Sequence, residues 1–200
     1  MLAIGYGLAC HILFVTGVAA MIAAMYFGMS RSFGRVPPPA SFFVNALLLI
    51  QFPLAHTFLL STKGRTFLSR LAPRQISGHL ATTTYAAVAA IQVLLLFALW
   101  SPSGTIWWRA EGPALIALSC LYAVAWFLLL KAIIDAGFAV QTGLLGWWAV
   151  ARNTTPRYPP MPKTGLFRFI RQPIYVAFAL TLWTVPTWTP DQFAVSLTLT

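Results

Sequence analysis

The sequence predicts an all-α integral membrane protein, a bundle of about five to six transmembrane helices with a C-terminal helical hairpin. Three observations carry this. Of 200 residues, 59% are apolar and only 8% charged, against about a quarter charged in soluble domains, and mean hydropathy is +0.78. The apolar runs reach the roughly 20 residues needed to cross a hydrocarbon core as helix. They lack the strict alternation of a barrel strand.

Apolar windows fall at Leu2–Met29, Ser41–Leu60, Leu80–Trp100 and Pro113–Ile134, followed by a weaker one over Phe138–Val150 and a last one over Ile174–Thr200. The first has no basic residue before it and runs on too long for a cleaved signal, so it reads as the first span. Arg35-Val-Pro-Pro-Pro, Lys63-Gly-Arg and Ser101-Pro-Ser-Gly close the first three windows. Trp100, Trp107 and Trp108 around the third break have the composition of an interfacial aromatic belt. In the final run, Pro186 and Pro190 flank Trp188, and prolines at a cost of about 3 kcal/mol in a helix interior argue for a turn there. A hairpin is expected.

Thirteen Lys and Arg against three acids give a net charge of +10. Because the cations sit mostly between apolar runs, headgroups and topology account for them and nucleic acid is excluded as a partner. Arg31, Arg35 and Arg109 follow spans one and three; the other ten, Lys63, Arg65, Arg70, Arg74, Lys131, Arg152, Arg157, Lys163, Arg168 and Arg171, fall on the opposite side. The positive-inside rule therefore places the N-terminus, the Lys63–His79 loop and the Arg152–Gln172 segment in the cytoplasm. On this count Phe138–Val150 continues span four or lies in the interface. Cys10 and Cys120 lie inside apolar segments without metal-ligand or disulfide spacing, and are expected to be small core residues.

Phosphate loops, nucleophile elbows, zinc motifs and paired carboxylates are all missing from the sequence. His11 and His56 lie within spans, where each must find a partner or line a cavity, and an interhelical hydrogen bond is the plainer expectation. His79 is expected to be solvated. Asp135, four residues after Lys131, is placed for an ion pair, either at the surface or in a polar pocket. Gly165 and Pro173 bracket "LFRFIRQ": the glycine permits an unusual turn, and the proline begins a helix whose first turn has free N–H groups. With Arg168 and Arg171 beside it and Phe167, Phe169 and Tyr175 around it, that helix start suits an anionic or aromatic ligand. On the residues alone a membrane anchor, with cations on headgroups and rings in the interface, is the favoured reading.

The segment "GLFRFIRQPIYVAFALTLW" resembles the signature of the membrane methyltransferases grouped around isoprenylcysteine carboxyl methyltransferase. "GYGLACHILFVTGVAAMIA", "NALLLIQFPLAHTFLL", "IIDAGFAVQTGLLGWW" and "LWTVPTWTPDQ" are similar to segments of the bacterial methanethiol S-methyltransferase branch, so the resemblance covers nearly the whole chain. It implies a helical bundle over residues 1–150, then a cofactor segment and the start of a hairpin over 151–200, in a bacterial inner membrane. It also implies a cytoplasmic-side pocket for S-adenosylmethionine and a tunnel toward the membrane for a small thiol or a lipid-like acceptor of prenylcysteine or phospholipid type. Position by position, it assigns Gly165, Leu166, Phe167, Arg171, Gln172, Pro173 and Tyr175 to the cofactor and His56 and Asp135 to the acceptor, and it assigns no catalytic residue. Gln172 stands where the family usually has His; it keeps hydrogen bonding but cannot change charge near neutral pH. The family's later Glu-Glu-Arg-type block is expected beyond residue 200. A non-catalytic subunit of a larger membrane complex is the alternative.

Overall fold

The computed structural model describes residues 1–73 and 77–200, and Arg74 of the basic Lys63–His79 stretch lies outside them. Among the described residues, four helices are long and apolar enough to cross a membrane: α1 (Leu2–Tyr26), α2 (Ala40–Leu60), α4 (Ala81–Leu99) and α5 (Gly112–Asp135). They match the first four apolar windows to within a few residues. The remaining helices are α3 (Thr62–Leu71), α6 (Phe138–Gln141), α7 (Leu144–Ala151), α8 (Pro173–Trp183) and α9 (Pro190–Leu199). The chain is an all-α integral membrane protein, and two shorter helices, α8 and α9, form the expected C-terminal hairpin.

Helices α1 and α4 form the central pair. Their contact is made by small residues: a Cβ on Gly17 would come 2.8 Å from the Ala90 carbonyl oxygen, so only glycine admits this approach. The main core lies toward one end of the bundle, where Met21, Met25 and Met29 meet Leu96, Phe97, Tyr122, Leu182 and Val195. Large apolar side chains such as Ile12, Phe43, Ile116 and Phe127 point outward, where they find lipid rather than core.

Between α2 and α4 runs a ladder of polar pairs. Asn45 and Ser101 exchange two hydrogen bonds of 2.8 and 3.0 Å. The Gln92 side-chain amide donates to Gln51 Oε1 at 2.8 Å, and Gln51 returns a bond to the Gln92 carbonyl at 3.2 Å. The last rung joins Tyr85 to His56. In hydrocarbon such groups have no water to turn to, so pairing fixes the register of the two antiparallel helices.

Several expectations need correction. The Lys63–His79 stretch is not all loop: Ser61 caps α3 by accepting the Gly64 amide at 3.1 Å, and Leu68 buries the helix against its neighbours. Phe138–Val150 is two short helices, because Gly137 and Gly143, at φ of 94° and 75°, each break the backbone. Trp100 belongs to the core rather than an aromatic belt, since it donates its indole N–H to buried Asp191 at 3.0 Å; Trp107 and Trp108 are exposed as expected. Cys10 is buried but Cys120 is exposed on α5.

The expected hairpin is present. Its tip forms a two-residue strand, β2 (Thr187–Trp188), antiparallel to β1 (Trp108–Arg109) just before α5. Since α8 begins beside the other end of α5, the segment runs the length of that helix. Asp191 then pins the tip by accepting from Trp100 and from both the amide and hydroxyl of Ser103, at 2.9 and 2.6 Å.

Candidate functional site

The site is built where the end of α5 meets the turn before α8. Gly165 has φ of +61° and starts a tight turn over Gly165–Arg168. The turn is held from α5: the Leu166 amide donates to Asp135 Oδ2 at 2.8 Å, and the same oxygen accepts from Lys131 Nζ at 2.6 Å. A Cβ on Gly165 would fall 2.3 Å from that carboxylate oxygen, so both the backbone twist and the close approach require glycine. The Leu166 and Ile174 side chains pack with Leu129, Ala132 and Ala177, which fastens the start of α8 to α5. Asp135 thus does more than make the ion pair expected with Lys131; it anchors the candidate cofactor turn.

What the anchored turn presents is accessible. Phe167 is half-buried, whereas Arg168, Phe169, Arg171, Gln172 and Tyr175 are exposed, with Tyr175 at 68%. Pro173 is buried at the first position of α8, and the first-turn amides of that helix lack intrahelical acceptors. An open groove of about 520 Å³ lies against Asp135, between the Ile134–Gly137 end of α5 and the Pro159–Lys163 segment. Its size suits a small ligand. The arrangement offers a cationic side chain and helix amides to an anionic group, and aromatic faces to a cationic or planar one.

The two residues assigned to the acceptor are not joined to each other. Asp135 belongs to the turn, while His56 pairs across the α2–α4 seam with Tyr85, whose hydroxyl lies 2.7 Å from Nδ1 and 2.9 Å from Nε2. Tyr85 is the residue that sequence reasoning missed, although a polar side chain one turn inside α4 was the natural partner for a histidine one turn inside the end of α2. The interhelical bond expected for His56 is present. That expected for His11 is not: its Nδ1 meets the carbonyl of Gly7 on its own helix at 3.1 Å, and its ring abuts the edge of Trp147. His79 is exposed.

No family model matches the chain, and no solved structure matches it. Curated relatives do. It is 26% identical to a methanethiol S-methyltransferase of a Pseudomonas species over 96% of its own length and 74% of the relative's. It is 28% identical to methanethiol S-methyltransferase 1 of Bradyrhizobium diazoefficiens over 73% of its length, and 25% identical to the Mycobacterium tuberculosis methanethiol S-methyltransferase over 78%. The chain spans half of the Bradyrhizobium relative and 63% of the mycobacterial one. The chain is thus similar, distantly, to curated methanethiol S-methyltransferases, in agreement with the resemblance of its Gly165–Trp183 segment to the membrane methyltransferases.

Proposed function

We propose that the chain is an S-adenosylmethionine-dependent membrane methyltransferase that transfers a methyl group to a small thiol. The observation that carries this reading is the anchoring of Gly165 and Leu166 by Asp135, which leaves Arg171, Gln172 and Tyr175 accessible around the start of α8. The names of the relatives support the thiol as acceptor over a lipid-like one.

The residues present suit the cofactor. The Arg171 guanidinium and the amides of the first turn of α8 bind its carboxylate. The rings of Phe167 and Tyr175 offer faces to its sulfonium and adenine. Gln172 supplies a hydrogen bond without a change of charge. Bound S-adenosylmethionine supplies an already activated methyl group, so the main task of the chain is alignment of the acceptor with that group. A site with few titratable residues is compatible with that task. The distribution of cations supports a cytoplasmic site in a bacterial inner membrane.

Titration of S-adenosylmethionine against the purified protein tests the reading. Arg171→Ala should weaken binding about ten- to a hundredfold, the effect of losing an ionic contact to a charged ligand, and Tyr175→Ala, which removes a ring face, should weaken it as well. Unchanged affinity in both variants would return the segment to a membrane anchor. Absence of binding by the wild-type protein would favour a non-catalytic subunit.

A further inference from the structure

The segment that follows α7 walls two grooves. Its later part, Pro159–Lys163, faces Asp135 in the groove described above. Its earlier part closes a second groove, of about 670 Å³, against α7. The local sequence builds this second groove. Asn153, at φ of +54°, reverses the chain at the end of α7, and Thr154 fixes the reversal by donating both its amide and its hydroxyl to the Ala149 carbonyl, at 2.9 and 3.1 Å. Arg157 and its neighbours then form the second wall. The groove lies on the side of the bundle that carries the basic Lys63–His79 stretch, since a Cβ on Gly146 of α7 would come 2.8 Å from the His79 carbonyl oxygen.

The two walls differ in chemistry. Helix α7 offers Leu145 and the outward-facing Trp148, whereas the adjacent Trp147 is turned into the core. The other wall carries Arg152 and Arg157, both exposed. The Arg152 guanidinium lies over the Trp148 ring, 4.5 Å from its centre, which holds one charge where the apolar and basic walls meet and leaves its N–H groups available to an anion. Among the described residues no carboxylate pairs with either arginine, and the three acids Glu111, Asp135 and Asp191 line no part of the groove. Two unneutralised cations beside an apolar wall select an amphiphilic anion. A free phosphate would leave Leu145 and Trp148 in water, and the ammonium of a zwitterionic lipid would find two positive charges and no acid. We propose that this groove binds an anionic phospholipid, with the phosphate on Arg152 and Arg157 and the glycerol and upper acyl carbons against Trp148 and Leu145. The site is independent of the methyltransferase reading.

Binding of phosphatidylglycerol, and of phosphatidylcholine with the same acyl chains, is measured on the full chain in detergent by native mass spectrometry. The wild-type protein is compared with the double variant Arg152→Gln, Arg157→Gln and with Lys63→Gln, Arg65→Gln, which removes the same charge from exposed positions of α3. A cation near a membrane surface is worth about fivefold in lipid affinity, so loss of both arginines should weaken phosphatidylglycerol about twenty- to thirtyfold and leave phosphatidylcholine within about twofold. The α3 variant should stay within about threefold of wild type for both lipids. Thermal unfolding without lipid should be the same for all three proteins, because the four substituted side chains are exposed. Glycerol 3-phosphate, the same headgroup phosphate without acyl chains, should not displace phosphatidylglycerol at millimolar concentration. Equal losses from the two charge variants would assign the binding to diffuse attraction by the basic side and overturn the site. So would a wild-type protein with no preference for phosphatidylglycerol. Displacement by glycerol 3-phosphate would make the groove a site for soluble phosphates and overturn the lipid as its occupant.

Discussion

Gly165 and Asp135 are in such close contact that no other residue fits at position 165: the Asp135 carboxylate occupies the space a Cβ would need and, from the same place, accepts the next amide. Thirty residues apart in sequence, the two make one joint between α5 and the segment leading into α8. The accessibility of Arg171 and Tyr175 depends on it.

Gly165→Ala should therefore be more damaging than an ordinary surface change. It adds a side chain at positive φ, for about 1 kcal/mol, and forces the carboxylate away. The expected outcome is a fall in S-adenosylmethionine affinity of about tenfold or more, with a smaller fall in melting temperature, read by titration and by thermal unfolding in detergent. Asp135→Asn should be milder than Asp135→Ala, because the amide oxygen can still accept from Leu166 although the Lys131 ion pair is lost. Equal effects from the two Asp135 variants would show that the ion pair matters more than the turn.

Gln172→His should be tolerated. Position 172 is exposed immediately before α8, and imidazole can replace the amide as a hydrogen-bonding group. Affinity for S-adenosylmethionine is expected to stay within about threefold of wild type or to improve. A loss of more than tenfold would indicate that Gln172 makes a contact only its amide geometry allows.

Asp191→Ala should lower stability most among the acidic residues. It would leave the buried Trp100 indole N–H, and the partly exposed Ser103 amide, without their acceptor. A cost of about 3 kcal/mol is expected, measured by denaturant unfolding in detergent. Because the Asp191 site is at the opposite end of α8 from the candidate cofactor turn, protein that remains folded should bind S-adenosylmethionine nearly as well as wild type.

Orientation is tested by cysteine accessibility. With Cys10 and Cys120 replaced, a single cysteine in the Lys63–His79 or Thr154–Lys163 stretch should resist an impermeant thiol reagent on intact cells and react after lysis. Labelling from outside would reverse the topology inferred from the ten-to-three division of cations. It would also move the candidate site to the other face of the membrane.

Length and apolarity alone determined the four long helices, because a chain crossing hydrocarbon must satisfy every backbone group within itself and helix is the local way to do so. The sequence likewise marked Gly165, Pro173 and the hairpin turn, whose backbone demands are written in the residue types. It could not show what each polar group meets. Asp135 reaches Leu166, Asp191 reaches Trp100 and Ser103, and Tyr85 reaches His56 only after helices distant in sequence have packed. Trp100 looked interfacial and Cys120 looked buried because composition assigns a residue to a depth but not to a side of its helix. Those sides were decided by packing: small residues brought α1 onto α4, the polar ladder fixed the register of α2 on α4, and the hairpin tip paired with β1.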